Sequence, residues 1–139
     1  MRHEVLAGAM VAFESFNSEP EEGEWYVVVR DLRTGRRVLH VPTGTPLAPE
    51  RYFVGVGPVV GMVVKADGGV AWMAEELERS RPPEDAEGPA VSYLDVYAAE
   101  GSVTRLLAAG TDIDPSSLAL AGSTVYWIEA GKPASAELK

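Results

Sequence analysis

The stretch LALAGSTVYW at Leu118–Trp127 restates VVKADGGVAW at Val63–Trp72 and, more faintly, VLAGAMVAF at Val5–Phe13. With Phe13, Trp72 and Trp127 in register, the residues before them also match: Val11-Ala12, Val70-Ala71 and Val125-Tyr126. The copies lie roughly 55–60 residues apart, a period that belongs to repeat architectures. Each copy holds two apolar runs around a small-residue pair: Gly8-Ala9, Gly68-Gly69 or Gly122-Ser123. Glycine reaches the positive φ that tight hairpin turns demand. Each copy therefore predicts a β-hairpin.

A second hairpin follows the first in two copies. Strands are predicted near Trp25–Arg30 and Arg37–Val41, around Asp31–Gly35, and near Val91–Tyr97 and Val103–Ala108, around Glu100-Gly101. Gly35 and Gly101 stand where a type I turn with a glycine bulge places its left-handed residue. Two successive hairpins make a four-stranded antiparallel meander. The third copy starts at Ser116 and leaves room for only one more short strand after Glu129. The expectation is an all-β chain forming one domain over 1–139, with units at about 3–42, 59–108 and 116–138. A turn or two of helix is conceivable only in Ala71–Arg81, where Pro82-Pro83 would end it.

Four-stranded meanders with an apolar inner hairpin, repeated along a chain, resemble β-propeller blades. Val63–Trp72 and Leu118–Trp127 match the two inner strands and Asp31–Gly35 the outer turn, while Gly110–Trp127 is similar to the blade-to-blade passage of bacterial TolB-like and related propellers. The resemblance implies that the first strand of each unit lines a central channel. It also implies that four long connections share one ligand-bearing face: Asn17–Glu24, Pro42–Pro58, Glu75–Pro89 and Gly110–Pro115. Two and a half units fall short of a closed ring, so the resemblance further implies completion by oligomerisation, with a homodimer favoured. In that scheme the tail Pro133–Lys139 supplies a strand to the first unit of a second copy.

Charge narrows the partners. The formal net charge is −9, and the twelve Lys and Arg are scattered, the densest group being Arg30, Arg33, Arg36 and Arg37. Nucleic acid and anionic membrane surfaces are disfavoured, because a phosphate backbone needs concentrated basic charge. No stretch approaches the roughly 20 apolar residues of a membrane span. The first seventeen residues, broken by Glu14, read as structure and not as a signal peptide. With no cysteine in the chain, disulfides, thiolate metal sites and cysteine nucleophiles are excluded.

Candidate binding residues are the acids of the long connections: Glu21 and Glu22, Glu75 and Glu76, Asp112 and Asp114. Loops sharing one face would make that face negative and attractive to a cationic ligand or partner. Asp112-Ile113-Asp114 presents two carboxylates on one side of an extended segment. Calcium needs six to eight oxygens, so no metal is assigned, and no cofactor either. Asp114-Pro115-Ser116-Ser117 reads as a turn. His3 and His40 are the only histidines and no G-x-S-x-G occurs, so no nucleophilic triad is assigned. Gly55-Val56-Gly57 runs into Pro58 and a strand, not a helix, and so lacks the phosphate-binding context of a dinucleotide fingerprint. Trp72 and Trp127, together with Phe13, are expected to pack between neighbouring sheets. The sequence thus favours a non-enzymatic scaffold or binding module that self-assembles and takes a protein or small ligand on its long loops. The alternative is a hydrolase or lyase that uses loop carboxylates.

Overall fold

The structure, a computed structural model, describes residues 4–17, 24–43, 56–76, 92–101 and 103–138. The described residues form antiparallel strands and the turns between them, with no helix. The first sheet is a meander of β1 (Glu4–Ala7), β2 (Met10–Asn17), β3 (Glu24–Asp31) and β4 (Arg36–Pro42). The second repeats it with β5 (Val56–Val64), β6 (Val70–Glu76), β7 (Leu94–Glu100) and β8 (Val103–Gly110). The third has β9 (Ala119–Ala121), β10 (Thr124–Glu129) and β11 (Lys132–Glu137), with β10 in the middle.

The turns follow from their residues. Gly8 and Gly122 take φ of 59° and 62° at the first loop position of two-residue hairpins, the place where a type II′ turn needs a positive angle. Gly35 (φ 73°) closes the β3–β4 turn, its N–H donating to the Asp31 carbonyl at 2.7 Å. The β10–β11 turn differs, since both Ala130 (φ 55°) and Gly131 (φ 75°) are left-handed. Ala130 is the one non-glycine residue with positive φ among those described.

The three sheets stack face to face in chain order, with apolar cores between them. Strand alternation sends Met10, Ala12, Val27, Val29 and Leu39 of the first sheet against Val70, Trp72, Ala74, Tyr97 and Ala99 of the second. The intervening residues of the second sheet, Ala71, Met73, Leu94, Val96 and Ala98, meet Ile113, Val125, Trp127 and Leu138. Both faces of the second sheet are covered, which is why β6 and β7 read as near-continuous apolar runs. Strand β5 touches β1 to β3 on one side and β9 on the other, so the first strands of the three units run as neighbours. Pro58 is accommodated in β5 where its register with β6 is irregular.

Three sequence expectations need correction. Glu75 and Glu76 belong to strand β6, not to a loop, and Ala71–Glu76 carries no helical turn. Phe13 does not lie between two sheets. It is on the opposite side of β2 from Ala12, belongs to neither core, and is half-buried. The tail is not a free strand: all of β11 pairs with β10, from Glu129↔Lys132 to Thr124↔Glu137. Leu138 then buries its side chain completely while its N–H donates to the Ser123 carbonyl at 2.7 Å. Lys65 Nζ and Arg105 Nη2 donate to the Leu138 and Glu137 carbonyls. Pairing with β10 engages one edge of the tail, and Leu138 is buried beside it.

Candidate functional site

The ends of β2 and β6 lie opposite the short hairpins, and the connections expected to share a face at Asn17–Glu24, Pro42–Pro58 and Glu75–Pro89 fall largely outside the described residues. Three buried acids, Glu14, Glu76 and Asp95, lie in the seam between the first and second sheets. On β2, alternation puts Glu14 on the same side as Met10 and Ala12, facing the second sheet. Glu76 shares the side of Trp72 and Ala74 on β6, and Asp95 shares that of Tyr97 and Ala99 on β7. These three acids are at most 2 % exposed.

Glu14 and Trp72 make the polar contacts that join the two sheets. Glu14 Oε2 accepts the Val59 N–H at 2.8 Å, joining β2 to β5. Val59 pairs with Ala74, and Ala74 with Asp95, so Glu14 anchors the same lateral row in which Asp95 lies. Tyr97 Oη donates to Asp95 Oδ2 at 2.7 Å, and the Tyr97 ring stacks on Trp72 with centroids 5.4 Å apart. Trp72 Nε1 donates to the buried Thr43 carbonyl at 2.8 Å, and Thr43 N–H donates to the Trp25 carbonyl. Burying polar groups without such partners costs roughly 2–7 kcal/mol each in transfer terms, so the partners are what make the seam tolerable.

The predicted site residues are not brought together as one surface. Glu21 and Glu22 lie outside the described residues. Glu75 is half-buried and faces the third-sheet side of β6, opposite to Glu76. Asp114 is committed to a turn: its Oδ1 accepts the Ser116 N–H and hydroxyl, both at 2.9 Å, and its carbonyl accepts the Ser117 hydroxyl. The Ser116 N–H and then its hydroxyl hold the Asp114 carboxyl below its ordinary range. Asp112 is exposed, and its carbonyl receives the Ala130 N–H, tying this connection to the β10–β11 turn. Among the described residues, no group of three or more His, Asp or Glu is placed to hold a metal ion. No described helix is long and apolar enough to cross a membrane.

At the hairpin end lies an open groove of about 430 Å³, mostly apolar, where Ala7, Ala66 and Gly122 bring the three units together. Lys65 borders it, but its ammonium is engaged by the Leu138 carbonyl at 2.7 Å and by Asp67 at 3.4 Å. The outer β3–β4 turn carries the basic group, where Arg33 pairs with Asp31 at 2.9 Å. The Arg33 side-chain hydrogen bonds lower the Asp31 carboxyl.

Sequence reasoning missed Glu14, Asp95 and Leu138. A signal existed for the acids: Glu14 follows Met10 and Ala12 at every second position, and Asp95 precedes Tyr97 by two. An acid on the inward side of an alternating strand marks a buried polar contact. No protein-family model, curated protein or solved structure matches the chain.

Proposed function

We propose that the chain is a non-enzymatic scaffold of the β-propeller type, which self-assembles and binds a protein or small ligand through the long connections of one face. The observation that carries this reading is the serial stacking of three sheets whose two outermost faces have no sheet over them among the described residues. A stack of this kind is extended by adding another sheet. The acids described near the loop end support a structural role. Glu14 bridges strands, Asp95 accepts from Tyr97, and Asp114 closes a turn. A fold of repeated sheets hosts binding and catalysis alike, so it is the engagement of these acids that favours binding.

The test is the mass of the purified, folded chain over a wide concentration range, by light scattering or sedimentation. Assembly gives a species at a multiple of 14.9 kDa. A folded monomer persisting to several hundred micromolar, well above the range of specific protein association, would remove self-assembly from the reading.

A further inference from the structure

We infer that the β3–β4 turn is a docking surface for an acidic segment of a partner protein, one whose carboxylates stand beside apolar side chains. The surface is separate from the long connections, and the inference holds whether or not the chain self-assembles.

Four of the chain's twelve Lys and Arg are Arg30, Arg33, Arg36 and Arg37, and the one acid among them is Asp31. The turn is therefore strongly positive in a chain of net charge −9. Asp31 is already engaged, since Arg33 Nε and Nη2 donate to its two oxygens at 3.0 and 2.9 Å. Arg30 Nη1 donates to the Gly35 carbonyl at 3.1 Å, which leaves its charge unmatched. Register sets Arg37 directly opposite Arg30, where Cβ atoms stand about 5 Å apart and like charges repel. An anion beside the pair relieves that repulsion. Neither the Arg36 nor the Arg37 guanidinium has an acidic partner among the described residues. The fold does not require such a cluster. At the corresponding β7–β8 turn Arg105 pairs with Glu100 at 3.2 Å and donates to the Glu137 carbonyl at 2.8 Å.

Residues 32–38 are all exposed, and two of them are large and apolar: Leu32 at 58 % and Val38 at 47 %. The register shift after Val29 leaves Val38 without a partner on β3, and bulges of this kind re-aim a side chain. Asp31, Thr34, Arg36, Arg37 and Val38 line a groove of about 400 Å³. Cationic and apolar groups on one turn select the occupant. Inorganic phosphate would use the arginines and leave Leu32 and Val38 in water. A nucleic-acid backbone or an anionic membrane needs a broad basic surface, and the remainder of this chain is acidic. An acidic protein segment uses both kinds of group. Its carboxylates accept from the guanidinium forks, and its apolar side chains cover Leu32 and Val38.

The experiment uses the full chain and a fluorescein-labelled synthetic peptide of interspersed Glu and Leu, followed by anisotropy, with the Gln-for-Glu peptide as control. Binding of the acidic peptide is expected, and added salt should weaken it because exposed charges are screened. Arg36→Gln and Arg37→Gln together should weaken it at least about tenfold, as charge-assisted hydrogen bonds are lost. Leu32→Ser should weaken it as well. Lys132→Glu makes the same change of net charge as the arginine pair, but in the β10–β11 turn, and should leave binding unaltered. Melting curves verify that each variant folds. Heteronuclear NMR of the unaltered chain needs no variant: peptide-induced shifts are expected within residues 30–38. No binding, equal binding of the Gln peptide, an equal loss in Lys132→Glu, or shifts confined to other residues overturns the inference. Phosphate that displaces the labelled peptide as effectively as unlabelled peptide, or full binding by Leu32→Ser, reduces the turn to a site for simple anions and overturns the protein partner. Loss of self-association in the arginine double variant would make a second copy the occupant and overturn it too.

Discussion

Glu14 and Val59 stand 45 residues apart and belong to different sheets, yet the Glu14 carboxylate accepts the Val59 backbone N–H at 2.8 Å inside the seam. Glu14→Ala removes the acceptor and leaves a buried N–H unpaired, with an expected loss of about 2–3 kcal/mol in unfolding free energy. Glu14→Gln keeps an oxygen acceptor and should lose less. Urea unfolding of the two variants checks the order. Equal losses would show that the hydrogen bond is not what Glu14 contributes.

Trp72 combines packing with one polar obligation. Trp72→Ala should cost about 3–5 kcal/mol, as for large aromatics removed from cores. Trp72→Phe retains most of the apolar contact with Tyr97 but gives up the donor to the Thr43 carbonyl. A smaller cost of about 1–2 kcal/mol is expected from that bond. Thermal or denaturant unfolding measures both. An unchanged melting temperature for Trp72→Ala would contradict the burial described.

Ala130 holds a left-handed backbone angle in the β10–β11 turn. Left-handed geometry costs a Cβ-bearing residue about 1–2 kcal/mol, partly offset in glycine by its larger backbone entropy loss. Ala130→Gly or Ala130→Asn should therefore stabilise the protein, by about 0.5–1 kcal/mol. Asn-Gly is the favoured pair for such turns, and denaturation midpoints provide the measurement. A destabilised Ala130→Asn protein would argue that the turn has another geometry.

Acid should destabilise the fold in two windows. Burial, and then the charge of Arg37, holds His40 below its ordinary value of 6.5. As pH falls through that region the unfolded chain takes up its proton first, so stability declines until the folded-state value is passed. Asp31, Asp67 and Asp114 are held below 3.8, chiefly by Arg33, the Gly69 N–H and the Ser116 N–H respectively. Their contributions are complete above 3.8 and lost as pH falls through the folded values. Unfolding free energy measured against pH should lose its upper slope in His40→Gln and part of its lower slope in Asp114→Asn. Unchanged slopes in both variants would show that other groups govern the acid response.

Hairpins, turns and the all-β class were legible because they are local. The repeated apolar runs predict paired strands, and the observed β3 and β4 match the expected Trp25–Arg30 and Arg37–Val41 to within a residue or so. Gly35 and Gly101 take the positive angles that their turn positions require. These features depend on neighbours along the chain and on the two-residue period of a strand.

Cover and destination were decided elsewhere. Phe13, Trp72 and Trp127 hold matching places in the repeat, but burial depends on what packs over the strand: Trp72 and Trp127 meet another sheet, and Phe13 belongs to neither described core. Glu76 reads as a loop acid until the length of β6 and the seam enclose it. The tail reads as a strand for another molecule, yet β10 lies beside it, and six of its residues pair there while Leu138 is buried. Pattern records which way a side chain points along its strand. What it points at is set by the packing of sheets far apart in sequence, where apolar area and buried hydrogen bonds are settled.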